Sequence, residues 1–293
     1  MEQIQRTQNT KFGIFLLIAG LALFCVGETI VKILANDYEI TQIVWARYVF
    51  HGLVTVLIFL RFGFVKLTKP TRPWLHMLRS ALMLIATTLY FSALRFLPLA
   101  DAVAIHFIAP ILITAFSIPI LKEKVGPRRW AAIFVGFVGT IIIIRPGTVG
   151  MHWAALLPLG TAICYAVYQI LTRIASRTDS TQTNLFWTSA FGILATSFCV
   201  PFFWTPPSAT GWGMMIALGG IYGLGHYLLI RGLEIAPASR LAPFIYTQII
   251  WATILGFTIF NQLPDQLTIL GVCIVMGSGL YIWRRETKLT YES

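Results

Sequence analysis

Long uncharged apolar stretches recur along this chain, and they constrain its fold more than any other feature of the sequence. Each stretch approaches the roughly 20 residues that an α-helix needs to cross a lipid bilayer, and each is bounded by charges, prolines or asparagines. Hydrophobic residues make up 57% of the chain and charged residues 11%, whereas soluble domains contain about 25% charged residues. The pattern predicts an all-α integral membrane protein and excludes a soluble enzyme.

Ten transmembrane helices are predicted, with short connections that favour a compact bundle of antiparallel neighbours. The predicted spans are 12–35, 40–60, 75–94, 100–121, 128–145, 153–174, 183–204, 212–231, 239–260 and 267–284. Ten spans use about 200 residues, which leaves no room for a separate catalytic domain. The polar first 11 residues predict a retained tail rather than a cleaved signal peptide.

Basic residues predict the orientation of the bundle. The chain has 22 Lys+Arg and 11 Asp+Glu, and 18 of the 22 fall on the cytoplasmic side when the N-terminus is placed inside. This follows the positive-inside rule and predicts a bacterial-type inner (plasma) membrane protein with both termini in the cytoplasm. No basic stretch forms a separable module, so nucleic acid is not an expected partner. The four cysteines lie in apolar runs without CxxC spacing, which predicts neither a disulfide framework nor a metal site.

An internal repeat divides the sequence into two parts. An offset of 139 residues aligns Leu94–Ala100 with Leu233–Ser239, and an offset of 141 aligns Glu28 with Gln169. The predicted repeats are therefore residues 1–148 and 149–293, with five spans each.

Because five is an odd number, the second repeat must enter the membrane from the opposite side. Two inverted repeats of this kind are typical of secondary transporters, whose substrate site lies between the repeats near the middle of the membrane.

Four segments carry a resemblance to a known family. They are Ala93–Asp101, Phe107–Ile111, Lys122–Pro127 and Gly136–Pro146. Together they resemble the EamA family of the drug/metabolite transporter superfamily, and the resemblance extends over essentially the whole chain. It implies ten helices from a duplicated five-helix unit, and a metabolite exporter or, less often, an importer.

Four residues are predicted to have structural or gating roles. Glu123 stands where the family has an acidic residue, and the resemblance implies such a role for it. Pro110 has no N–H group to donate, so it can bend the fourth helix. Pro98 and Pro237 occupy matching turns before the fourth and ninth spans.

Three charged residues lie within the predicted spans, where an unpaired charge costs about 3 kcal/mol or more. Glu28 and Arg47 are each predicted about 10 Å below the outer membrane surface, and Lys32 lies one turn from Glu28 on the same helix face. Two interpretations stay open. One is a structural salt bridge with a snorkelling lysine. In the other, Lys32 and Arg47 anchor a carboxylate, with Glu28 as the counter-ion or proton acceptor.

Further polar and aromatic residues complete the predicted substrate site. His51 lies one turn beyond Arg47 and His106 one turn before Pro110. Both histidines suit proton coupling, although for either one alone a hydrogen-bonded helix-packing role is the favoured interpretation. The second half is predicted to contribute Tyr168, Gln169, Trp187, His226, Tyr246, Gln248 and Trp251.

The sequence thus predicts a secondary active transporter of small organic metabolites that works by alternating access. The favoured substrate is a carboxylate-bearing metabolite, either an amino acid or an organic acid. The alternative is an aromatic or cationic metabolite such as a vitamin, nucleoside or amine. A membrane-embedded structural or sensor protein is the alternative outside transport.

Energy for transport must come from a gradient or an exchange, because the sequence has no phosphate-binding loop for ATP. Protons or a counter-substrate are the expected coupled species, and the lipid bilayer is the other partner. No cofactor or metal is expected, and no enzymatic motif such as HExxH or GxSxG occurs. The protein is expected to act as a monomer or a homodimer.

Overall fold

The computed structural model of the protein describes residues 2–59, 70–121, 127–146, 152–236 and 241–291. Across these ranges the regular structure is helical. The α-helices are α1 (Glu2–Leu34), α2 (Ile40–Phe59), α3 (Pro73–Phe96), α4 (Leu99–His106), α5 (Ala109–Leu121), α6 (Pro127–Ile144), α7 (Leu156–Ala175), α8 (Thr181–Cys199), α9 (Ala209–Ile235), α10 (Gln248–Phe260) and α11 (Gln266–Tyr291). Short 3₁₀ helices occupy Trp153–Ala155, Val200–Phe203 and Ala242–Thr247. The predicted repeat boundary at 148/149, Glu123 and Pro237 lie outside the described residues.

Within the described residues, eight helical stretches are long and apolar enough to cross a membrane, and Trp130–Ile144 forms a shorter apolar helix. Each of the ten predicted spans coincides with helix. Large apolar side chains cover the outside of the bundle, including Phe134, Leu194 and Phe198, which are 69%, 73% and 77% exposed. A surface of this kind is suited to lipid rather than water. The prediction of an all-α, multi-pass membrane protein is confirmed.

The fourth span, predicted as one helix, is broken into α4 and α5. Because Pro110 has no N–H, it cannot bond to the carbonyl of His106, and α4 ends at that residue. The ninth span is also composite, since the 3₁₀ helix Ala242–Thr247 leads directly into α10. An offset of 139 residues places Phe107 on Tyr246, so the two breaks occupy corresponding positions.

The helix pairing has the symmetry of an inverted repeat. Helix α1 packs on α9 while α3 packs on α7, and α2 packs on α9 while α3 packs on α8. The pairs α2 with α8, α4 with α10 and α6 with α11 also pack together. Exchanging the helices of the first half for their counterparts in the second interchanges the first two pairings, interchanges the next two, and leaves each of the last three unchanged. The core therefore lies largely between the two repeats.

Glycines allow α1 and α9 to approach closely. A Cβ atom added to Gly20 would lie 2.9 Å from the carbonyl oxygen of Gly225. One added to Gly27 would lie 2.5 Å from Cε2 of Tyr222. Small residues at such crossings let membrane helices pack backbone to backbone. This crossing places the Tyr222 ring directly beside the α1 turn that carries Glu28.

Two ends of the bundle are distinguished by their loops. The end that carries residues 35–39, between α1 and α2, is called the first-loop face. The end that carries residues 70–72 and 176–180 is called the second-loop face.

Candidate functional site

Glu28 lies at the centre of the contact between the repeats. Its side chain is buried, and Oε1 accepts a hydrogen bond of 3.1 Å from Nε2 of Gln248 on α10. The Tyr90 hydroxyl and the Cys25 thiol lie beside the carboxyl group. Within the described part of the chain, Oε2 has no hydrogen-bond partner. One buried acid thus joins the two repeats and keeps one oxygen unpaired.

Lys32 does not form the predicted i,i+4 pair with Glu28. Its ammonium instead donates to the carbonyl oxygens of Leu94 (3.0 Å) and Leu97 (2.6 Å), at the end of α3. It also lies 5.4 Å from the centroid of the Phe260 ring. The last carbonyls of a helix lack partners within that helix and attract cations. Lys32 therefore ties α1 to the end of α3 at the first-loop face.

Arg47 is held by aromatic rings rather than by an acid. Its guanidinium lies 4.8 Å from the Tyr48 ring centroid and 4.9 Å from that of Tyr222. Nη1 makes a weak bond of 3.4 Å to Oγ1 of Thr87, and Nε has no partner among the described residues. Although Glu28 and Arg47 both lie near Tyr222, no Glu28–Arg47 ion pair forms among the pairs that the structure describes.

Aromatic rings surround these charges. His106 lies 5.6 Å from Tyr90 and 5.5 Å from Tyr165, centroid to centroid. Gln169 donates to the Tyr165 hydroxyl at 2.9 Å. These contacts bring first-half and second-half residues of the predicted site together.

A second set of rings continues from Tyr222. His226 lies 5.2 Å from His51 and 4.8 Å from Phe24, and its Nδ1 donates to the Tyr222 carbonyl at 2.9 Å. We call the whole group the central cluster. It comprises Glu28, Arg47, His51, Tyr90, His106, Tyr165, Tyr222, His226 and Gln248.

The remaining predicted residues lie elsewhere. Tyr168 and Trp187 are nearer the second-loop face, where the Trp187 ring packs 6.1 Å from His76, although the Tyr168 ring also stacks on Tyr165 of the central cluster at 6.0 Å. Tyr246 is buried against Phe107, with ring centroids 5.1 Å apart. Trp251 is half-buried on the apolar core. Pro98 is the N-cap of α4, and Pro110 is exposed in the first turn of α5.

Arg79 was not singled out from the sequence, yet it is a buried and extensively bonded charge near the second-loop face. It is 1% exposed. Nε donates to Oγ1 of Thr172 (3.1 Å), Nη1 to the carbonyl of Asn184 (2.8 Å) and Nη2 to the Tyr168 hydroxyl (3.0 Å). The sequence indicated this burial only by position, because Arg79 lies almost two turns from the start of α3.

Asp179 extends this contact at the second-loop face. Its Oδ2 lies 3.0 Å from Nε2 of His76, and its Oδ1 accepts from the backbone N–H (2.9 Å) and hydroxyl (2.8 Å) of Thr71. Burial alone would raise the pKa of Asp179, but these hydrogen bonds from His76 and Thr71 outweigh it and lower the pKa to about 2. We call Thr71, His76, Arg79 and Asp179 the second-loop latch.

A related contact closes the first-loop face. The Tyr38 hydroxyl accepts from the backbone N–H of Ser208 at 3.2 Å, and Gln42 exchanges two hydrogen bonds of 2.9 Å with Thr205. We call these four residues the first-loop latch. An offset of 141 residues places Tyr38 on Asp179. In both latches a side chain from the loop after the first helix of one repeat binds the start of the third helix of the other.

Asp265 is paired with Arg145 at the first-loop face. The hydrogen bond from Arg145 is the main cause that lowers the pKa of Asp265 to about 2. This ion pair joins the chain after α6 to the chain before α11.

A groove of about 340 Å³ lies between α6 and α11, where it is lined by Ala132, Val135, Ser278 and Tyr281 among others. It is mostly apolar and separate from the charged residues described above. No group of three or more metal-ligating side chains occurs among the residues that the structure describes.

Comparison with known proteins gives the family. The model of the EamA-like transporter family matches residues 11–145 and again 152–284. The S-adenosylmethionine uptake transporter of Rickettsia prowazekii is 24% identical over 94% of each chain. The riboflavin transporter of Vibrio cholerae is 27% identical, also over 94% of each chain. A crystal structure 20% identical superposes with a TM-score of 0.64 over 95% of this chain and 98% of the other, which shows the same fold. This chain therefore belongs to the EamA-like transporter family.

Proposed function

We propose that this transporter carries a planar heterocyclic metabolite by alternating access, and that the central cluster is its substrate site. The observation that carries the proposal is the set of aromatic rings around buried polar groups at the contact between the repeats. Rings of this kind bind planar and cationic groups by stacking and cation–π attraction. Polar groups at their edges then fix the orientation of the substrate.

This proposal places the aromatic or cationic substrate ahead of the carboxylate-bearing one. Of the two cations expected to anchor a carboxylate, Lys32 is bonded to the end of α3. Arg47 remains, and it lies between two tyrosine rings. The Rickettsia prowazekii and Vibrio cholerae relatives transport S-adenosylmethionine and riboflavin. The two compounds share a planar nitrogen heterocycle joined to a hydroxylated five-carbon group, a ribose ring in one and a ribityl chain in the other, which supports the same class of substrate here.

The two latches supply the gates. Each joins the repeats at one end of the bundle, with the central cluster between them. Opening one latch while the other stays closed would expose the cluster to one side only, as alternating access requires. The positive-inside distribution supports an inner-membrane location with both termini and the second-loop face in the cytoplasm.

Uptake by the purified full-length protein in liposomes tests the proposal. We expect saturable transport of riboflavin, adenosine or S-adenosylmethionine, and none of succinate or glutamate. Tyr222→Leu should reduce uptake at least tenfold because it removes a ring of the cluster. Tyr227→Leu, on the same helix but 42% exposed, is the matched control and should leave uptake unchanged. Transport restricted to succinate and glutamate would overturn the heterocycle proposal in favour of the carboxylate one.

A further inference from the structure

The two charges of the central cluster each keep one polar atom unpaired. Oε2 of Glu28 and Nε of Arg47 have no hydrogen-bond partner among the described residues, and both side chains are 4% exposed. A buried polar atom without a partner costs about 1 to 3 kcal/mol, and more when the group is charged. Two such atoms of opposite charge in one cluster therefore call for a ligand that supplies both partners.

The structure keeps the two charges apart. The Tyr222 ring packs against the Arg47 guanidinium at 4.9 Å and also covers Gly27, the residue before Glu28. A direct salt bridge would use both charges for structure, as an ordinary buried pair does. Here Tyr222 contacts both sides and the pair does not form within the described part of the chain.

Among the described residues no other charge completes the pairing, and the group beside the Glu28 carboxyl is the neutral Tyr90 hydroxyl. Lys32, the nearest cation on α1, donates its ammonium to two carbonyls of α3. Thr87 offers Arg47 only a weak bond from a hydroxyl. A simple anion would pair with Arg47 and leave Glu28 unpaired, and a simple cation would do the reverse. A group that carries a cation and an anion a few ångströms apart satisfies both.

Resting on the proposed function, we infer that Glu28 and Arg47 form a subsite for the zwitterionic head group of an α-amino acid. The substrate ammonium donates to Oε2 of Glu28, and the substrate carboxylate accepts from Nε of Arg47. The heterocycle lies among the aromatic rings, and the head group lies across Tyr222. The substrate class is thereby narrowed to heterocyclic metabolites that carry an amino-acid group.

Binding to the purified full-length protein in nanodiscs tests this subsite with three adenosine compounds. S-adenosylmethionine carries the whole head group, its decarboxylated form lacks only the carboxylate, and 5′-methylthioadenosine lacks the head group altogether. We expect S-adenosylmethionine to bind about 10 to 100 times more tightly than the decarboxylated form, the effect of one charged hydrogen bond. Arg47→Gln should abolish that ratio and leave the affinity for the decarboxylated form nearly unchanged.

The acid is tested in the same way. Glu28→Gln should reduce the preference for decarboxylated S-adenosylmethionine over 5′-methylthioadenosine to the part that the sulfonium charge supplies, because 5′-methylthioadenosine lacks that charge as well as the ammonium. Arg95→Gln and Glu234→Gln, both exposed, are the matched controls and should preserve both ratios. If Arg47→Gln or Glu28→Gln does not fold, the relative affinities of the three compounds for the unchanged protein still test the subsite.

The outcomes separate this inference from the proposed function. Equal affinity for S-adenosylmethionine and its decarboxylated form would overturn the head-group subsite, while riboflavin or 5′-methylthioadenosine binding would keep the heterocycle proposal. Binding of methionine without any heterocyclic compound would support the subsite and overturn the proposed function. Binding of none of these compounds would overturn both.

Discussion

The position of Arg79 in the sequence indicates its structural role only in part. It resembles the other basic residues near span ends, yet its guanidinium is buried and bonded to α7, α8 and the Tyr168 ring. Burial of a guanidinium is tolerated only where its N–H groups find acceptors. The packing of α3 between two helices of the other repeat supplies them.

Replacing Arg79 should therefore weaken the folded protein. We expect Arg79→Ala to lower the free energy of unfolding by about 2 to 4 kcal/mol, because the charged hydrogen bonds to Thr172, Tyr168 and the Asn184 carbonyl are lost. Arg95→Ala, on the same helix, removes only an exposed pair with Glu39 at 3.9 Å and should cost less than about 1 kcal/mol. Reversible unfolding in detergent measures both, and equal losses would contradict the assigned role.

Asp179 and Asp265 give a prediction about pH. The pKa of each is lowered to about 2, below the ordinary aspartate value. A lowered pKa stabilises the folded protein above the ordinary value, and this contribution is lost as the pH falls from about 4 to 2. The unchanged protein should have a higher melting temperature than Asp179→Asn at pH 5. The difference should shrink below pH 4. A difference that persists undiminished at pH 2 would contradict the assignment.

The hydrogen-bond partners of Lys32 could not be predicted from its spacing within the helix. The helical spacing correctly places Lys32 and Glu28 one turn apart on α1. Spacing within one helix cannot reveal that the end of α3 lies within reach of the same ammonium. The acceptors are backbone carbonyls, which every helix end offers and which no side-chain pattern marks.

At the scale of elements, sequence reasoning located each span but not the interruptions in two of them. The apolar run 100–121 continues through residues 107–108 without a polar residue, so hydropathy gives no signal there. Pro110 gave the physical reason for a bend, although not whether it would bend or break the helix. In the ninth span Ile249 replaces that proline, and the corresponding interruption is a 3₁₀ turn. The two breaks also pack against each other through Phe107 and Tyr246, a contact that only the fold reveals.

Pro110→Ala tests the importance of the break in the fourth span. The new N–H can bond to the His106 carbonyl, so we expect slower amide hydrogen exchange at residues 107–112 and slower transport. Pro119 lies inside α5 and is also exposed. Pro119→Ala should stabilise α5 by up to about 3 kcal/mol without slowing transport. Equal transport by both variants would show that the break has no part in the cycle.

At the scale of the whole molecule, the proposal that each latch closes one side of the cluster can be tested through Cys25. Cys25 is fully buried beside Glu28, so its reaction with a membrane-impermeant maleimide reports access to the cluster. In a chain with Cys164, Cys199 and Cys273 replaced by serine, Asp179→Asn should increase labelling from the second-loop face. Tyr38→Phe should increase labelling from the first-loop face, because the acceptor for Ser208 N–H is lost.

The proteoliposome orientation is fixed by protease treatment from outside, and labelling is read by mass spectrometry. Glu234→Gln, which alters only an exposed pair with Arg231, is the control and should leave Cys25 protected. Increased labelling from the same face in both latch variants would contradict a gate at each end.

The contact between Phe107 and Tyr246 has a further consequence. The two residues occupy corresponding positions, and their rings meet edge to face, 5.1 Å apart at 82°. Positions related by a two-fold rotation touch each other only where they lie on the axis itself. Suppose that a single five-helix unit once assembled as two antiparallel copies. The residue on the axis would then have packed against the same residue of the other copy, so its side chain had to be complementary to itself. Fusion of the copies into one chain would have removed that restriction. The two positions could then differ, as Phe107 and Tyr246 do: Tyr246 has a hydroxyl group and Phe107 has none.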